Sequence, residues 1–211
     1  MVSDKPEDQG EGVEPRGRRD GQVRIDAQRS IDALLQAAIE VFSTSGVDAP
    51  VREIALKAGV GIGTFYRHFP QRSDLVAAVF RREIDACADA APVLAARYGP
   101  GEALARWMQR YAAFLGTKRG LAAALHSGNP AFAPLPAYFR QRLEPALQTL
   151  LASAVAAGEV RADFAAGDLL DAVASLCRSA YDRGPDHAQA MVALLVDGLR
   201  YGTSRSEDLS S

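Results

Sequence analysis

Thr64, Tyr66, Arg67 and His68 place a hydroxyl, a phenol, a guanidinium and an imidazole within five consecutive positions. Such a set donates hydrogen bonds and carries positive charge, which is the chemistry of phosphate oxygens and base edges. Gly61 and Gly63 leave the backbone beside them uncovered, and Pro70 stops the segment. Arg52 upstream and Arg72 downstream extend the same chemistry. A helix able to approach a polyanion closely is the simplest carrier for these groups.

The elements that must position them follow from local spacing. Val51, Ile54, Ala55 and Ala58 recur at three and four residues, forming one apolar face of a short helix. Gly59 ends that helix, because glycine accepts the left-handed closing conformation. Val60 pins the turn. A second short helix starts at Gly61, with Ile62, Phe65 and Phe69 expected to face the first and Thr64, Arg67 and His68 left outward, Tyr66 at the edge. Together these make a helix-turn-helix.

The run from Arg29 to Phe80 resembles the DNA-binding domain of the TetR (tetracycline repressor) family. The matching residues are Arg29, Ile31, Ala37, Ala38, Phe42 and Gly46, then Arg52, Ile54, Ala55, Ala58-Gly59-Val60, Gly63-Thr64, Tyr66-Arg67-His68-Phe69-Pro70 and Leu75. The resemblance implies an all-α transcriptional regulator, a dimer with a C-terminal domain that senses a small molecule. It also implies that Arg52, Gly61, Ile62, Gly63, Thr64, Tyr66, Arg67, His68 and Arg72 form the DNA-binding surface. Gly61 stands where such proteins carry Ser or Thr, and Ala49-Pro50 where threonine is usual. Gln71 replaces a short polar cap, and Arg72 a lysine. These departures bear on the operator sequence rather than on the class.

Charge is divided along the chain in the same sense. Residues 16–82 hold eleven Lys/Arg against seven Asp/Glu, a net +4, whereas residues 1–15 carry −4 and residues 83–211 carry −2. The total of −2 therefore conceals a basic module suited to phosphate. With 211 residues and 48% apolar content, the chain has room for a small DNA-binding module and a larger domain. No apolar run is long enough to span a membrane, and the start is charged, unlike a signal peptide, so a cytoplasmic protein is expected. Cys87 and Cys177 lack disulfide or metal spacing and read as buried thiols.

Three regions are expected. Residues 1–23 are rich in Gly, Pro and charge and read as a disordered tail, in which Arg16, Arg18 and Arg19 either contact a minor groove or are merely solvated. Residues 24–71 form the helix-turn-helix domain, opening on a helix from about Ile25 to Thr44 with Ile31, Leu34, Leu35, Ala38, Val41 and Phe42 inward. Residues 72–204 form the regulatory and dimerisation domain. Its first helix starts near Arg72 and ends before Pro92 or by Gly99-Pro100; helices near 101–117, 119–127, 134–157, 167–182 and 186–202 follow, Pro145 kinking or splitting the third of these five.

Met191 to Val196 is unbroken and apolar, with Leu199 and Tyr201 beyond it, more than one core-facing stripe can hide. The helix at 167–182 adds Leu169, Val173, Leu176 and Ala180, with Ala172 and Ala174 permitting close approach. Residues 167–202 are accordingly the expected homodimer interface, the arrangement the family resemblance implies. Leu104, Trp107, Met108, Tyr111, Phe114 and Leu115 gather large side chains on one helix face, and Phe132, Tyr138, Phe139 and Leu143 follow. This wall is either plain core or a ligand cavity; for the latter the candidates are Trp107, Tyr111, Phe114, His126, Phe139 and Leu143. His126 is equally a pocket anchor and a surface helix end.

Nothing points to catalysis. His68, His126 and His187 have no Ser, Cys or carboxylate at motif spacing, and no Gly-rich phosphate loop follows a strand. No cofactor or metal is implied. The expected function is that of a repressor released from a palindromic operator by a small molecule. The rival is a regulator with a filled C-terminal core, constitutive or controlled by a protein partner.

Overall fold

The computed structural model describes residues 16–116, 128–179 and 183–201. Among these residues the chain is helical, with no strand. Helix α1 spans Arg16–Ser45, α2 Val51–Lys57, α3 Ile62–His68, α4 Arg72–Arg97 and α5 Pro100–Gly116. A 3-10 turn at Pro130–Phe132 leads into α6 (Leu135–Ala156), α7 (Ala166–Ser179) and α8 (Pro185–Tyr201). The tail at 1–15, the expected helix at 119–127 and residues 202–204 lie outside the described residues.

Leu34, Leu35, Ala38 and Val41 of α1 close over Ile54 and Ala55 of α2, Phe65 of α3 and Leu75 and Val79 of α4, making the first core. Gly46 (φ 79°) ends α1 and Gly59 (φ 69°) ends α2, both in the left-handed region where a Cβ is strained. Helix α1 starts well before Ile25, so residues 16–23 are helical rather than a continuation of the tail. Propagating a helix already nucleated costs far less than starting one, and Arg and Gln are good helix formers.

The second core is built by α4 to α8, with Trp107, Met108 and Tyr111 of α5 and Leu143, Leu147 and Leu150 of α6 fully buried. Helix α4 runs through Pro92 to Arg97. An interior proline costs a helix about 3 kcal/mol, but Ala91, Leu94 and Tyr98 on either side of it pack on this core. Helix α6 likewise continues through Pro145 without splitting, held by Leu143 and Leu147. A third, smaller cluster also lies along α4: Val76, Ala77 and Phe80 meet Phe132 and Leu135, with Phe42 of α1 against them. Helix α4 is thus common to every cluster.

Candidate nucleic-acid interface and aromatic core

Helix α3 divides its side chains sharply. Phe65 is fully buried and Phe69 nearly so, their rings 6.0 Å apart, and they fasten α3 to the first core. Gly61, Gly63 and Arg67 are exposed, Tyr66 is 49% exposed, and Thr64 and His68 are half-buried. The Tyr66 ring stands edge-on against Phe65 at 5.2 Å, which orients its hydroxyl end outward from a fixed base. A Cβ added at Gly61 or Gly63 would meet nothing within 4 Å, so neither glycine is required by the protein's own packing. Arg52 on α2 is also exposed.

Two expectations need correction. Ile62 does not turn toward α2; it is 41% exposed, because it lies in the first turn of α3, ahead of the Phe65–Phe69 pair that makes the contact. Its exposure leaves it on the same open surface as Gly61 and Gly63. Arg72 is not a free surface cation: it is half-buried, and its guanidinium donates to the carbonyl of Val47 in the loop between α1 and α2. At the start of α4 the Gln71 backbone N–H donates to the carboxylate of Asp74 at 2.9 Å, one half of a capping box.

The aromatic wall forms, in part. Trp107 and Tyr111 stack at 5.7 Å, Tyr111 lies 5.8 Å from Phe139, and Phe114 lies 6.4 Å from both Tyr111 and Phe139. Trp107 Nε1 donates to the Cys87 carbonyl at 2.9 Å, and the Tyr111 hydroxyl donates to the Leu170 carbonyl at 3.4 Å. Burial pushes the Cys87 thiol up to about 12 and raises Tyr111 well above the usual phenol range. Phe132 leaves the wall for the cluster with Val76 and Phe80, and Tyr138 turns to Asp85. His126 lies outside the described residues. Phe114 lines an open cleft of about 290 Å³ with Glu83, Ala86, Cys87, Arg110 and Ala113.

Helices α7 and α8, with Phe164 ahead of them, present an apolar groove of about 500 Å³ lined also by Leu169, Ala172, Leu176, Met191 and Leu194, among others. Leu194 is 64% exposed. Both cysteines are free and buried. Among the described residues no group of three His, Cys, Asp or Glu side chains could hold a metal ion, and no helix is long and apolar enough to cross a membrane.

Sequence reasoning passed over Asp85, Asp89 and Arg142. Arg142 Nε donates to Asp85 at 2.7 Å and its Nη2 to Asp89 at 2.8 Å. The available signal was two pairs at four-residue spacing, Asp85/Asp89 and Tyr138/Arg142, each confined to one helix face.

Comparison with known proteins agrees with this architecture. Residues 34–79 match the model for bacterial regulatory proteins of the tetR family, and residues 99–201 match the C-terminal domain of SbtR-like transcriptional regulators. A TetR transcriptional regulator from Streptomyces coelicolor is 37% identical, over 81% of this chain and 98% of that one, with a TM-score of 0.67. A TetR regulatory protein from Mycobacterium vanbaalenii is 35% identical, over 84% and 99%, with a TM-score of 0.64. An HTH-type transcriptional regulator of Staphylococcus aureus is 36% identical over 64 residues, 30% of this chain, so that the chain spans only 35% of the length of that curated relative. The identity and coverage of the first two, together with a helix-turn-helix whose α3 keeps its polar face open, place this chain in the TetR family of transcriptional regulators.

Proposed function

We propose that the chain binds operator DNA in the cytoplasm as a homodimer and represses transcription until a small molecule releases it. The observation that carries this reading is the open surface of α3, where Gly61 and Gly63 add no bulk beside Thr64, Tyr66, Arg67 and His68. In this reading α3 enters the major groove, Tyr66, Arg67 and His68 meet phosphates or base edges, and Arg52 reaches the flanking backbone. Arg72 keeps the α1–α2 loop in place and offers its remaining donors to a phosphate. The groove on α7 and α8 is covered by the same groove of a second copy, within residues 167–202, and the pair sets two α3 helices about 34 Å apart. Selection of duplexes from a random-sequence library tests this: the expected product is a near-palindrome bound by two chains, and enrichment of no duplex would overturn it.

The effector enters beside Phe114, where the cleft opens, with Phe139, Tyr111 and Trp107 as the inner wall and Leu143 beneath. A bound effector favours a conformer with the wrong α3 spacing by its differential affinity for the two states. A second reading, a filled core with no small-molecule effector, is favoured by a specific observation. Trp107, Tyr111 and Leu143 are fully buried, and the indole and phenol are hydrogen-bonded within the protein. Screening a metabolite library by Trp107 emission separates the two: an effector shifts emission and releases DNA over one concentration range, as linkage requires.

A further inference from the structure

Asp85 and Asp89 stand on one face of α4, Tyr138 and Arg142 on one face of α6, and the faces meet. A single Asp85 oxygen accepts both the Tyr138 hydroxyl, at 2.6 Å, and Arg142 Nε, at 2.7 Å. Nη2 of the same guanidinium reaches Asp89, and the Arg81 guanidinium lies 5.9 Å over the Tyr138 ring. The next residues along α6, Phe139 and Leu143, are again four apart and face the aromatic core, Phe139 touching Tyr111 and Phe114 and Leu143 fully buried. One stretch of α6 therefore touches the aromatic core on one side and α4 on the other. Helix α4 carries Leu75 and Val79 into the core beneath α3.

The hydrophobic drive that brings α4 and α6 together is not directional and does not by itself select one register. Charge-assisted bonds with two donors on one oxygen and a forked guanidinium are directional. Because these groups are partly exposed, they add little net stability, so their contribution is to register rather than to folding. We propose that Tyr138, Arg142, Asp85 and Asp89 form a latch that fixes α4 against α6 and so sets the spacing at which the two α3 helices of a dimer meet DNA. They are positioning residues, acting through α4, and the inference rests on the operator-binding reading above.

The test uses the full-length chain and a duplex that the wild-type protein selects from a random library, together with derivatives carrying one or two extra base pairs between the half-sites. Wild type, Arg142→Gln, Asp85→Asn and the double variant are titrated on each. Each single variant is expected to lose roughly five-fold of the preference for the selected spacing, and the double variant no more than the worse single. Tyr138→Phe, which removes one hydroxyl, moves in the same direction, and Arg142→Lys, which keeps the charge without the fork, falls between wild type and Arg142→Gln. Unchanged spacing preference, additive losses, or losses equal at every spacing that track the unfolded fraction measured by circular dichroism would overturn the latch alone. A wild-type chain that selects no duplex refutes the operator-binding reading and the latch with it.

Discussion

Trp107 Nε1 donates to the carbonyl oxygen of Cys87 at 2.9 Å, fastening α5 to α4 with the indole fully enclosed. Trp107→Ala therefore removes both a large buried ring and a hydrogen bond, and is expected to cost about 3–5 kcal/mol, read as a lowered denaturation midpoint. It reports on the core more than on any effector. Phe114→Ala, at the half-buried rim of the cleft, is the cleaner probe: effector response is expected to change while operator affinity stays within about two-fold, a split of about 0.4 kcal/mol at most.

Gly63→Leu is expected to abolish operator binding and leave the unfolding midpoint within a few degrees. The side chain would enter open space in the free protein and a DNA surface in the complex. Retained binding in a gel-shift titration would show that α3 does not approach DNA at this point.

Arg67 and Arg72 should separate in their effects. Arg67→Ala is expected to make the slope of log affinity against log salt shallower by about one unit per subunit, roughly two for the dimer, with stability unchanged. Arg72→Ala also frees the Val47 carbonyl, so it should lower the midpoint of thermal unfolding together with affinity. Equal stability of the two variants would mean that the Arg72–Val47 bond contributes nothing net.

Leu194→Glu places a charge on an apolar side chain of α8 that is largely exposed. Sedimentation is expected to show a monomer, and operator affinity should fall by about 100-fold through loss of the second, linked half-site. A variant that stays dimeric with native affinity would remove the α7–α8 groove from the interface.

Stability should decline in alkali. The unfolded Cys87 thiol ionises near its ordinary value of 9.0, while burial holds the folded one at about 12. Between those values the unfolded state binds fewer protons, so stability falls as pH rises through the window, and Tyr111, raised by its own burial, acts in the same sense. Urea titrations across that range should show the decline, and Cys87→Ala should flatten it; an equal slope in both proteins would assign it elsewhere.

The all-helical class, the break at Gly59, the inward Phe65 and the outward Arg67 were legible because each depends on residues within a turn or two of one another. Apolar periodicity decides which face of a helix is buried, and glycine marks where a chain must take a positive φ. The apolar surplus of α8 was visible for the same reason. What needed the tertiary structure was the identity of partners far apart along the chain. Nothing local to Arg72 points to Val47, nothing near Phe132 selects Phe80 over Tyr111, and Tyr138 is 53 residues from Asp85. Ile62 shows the limit from the other side: its period is right for the buried face, but its place in the first turn puts it ahead of the packed pair. A period fixes the direction of a side chain around its own helix, whereas a contact depends also on how two helices are placed along and across each other, and that placement follows from the packing of the whole core.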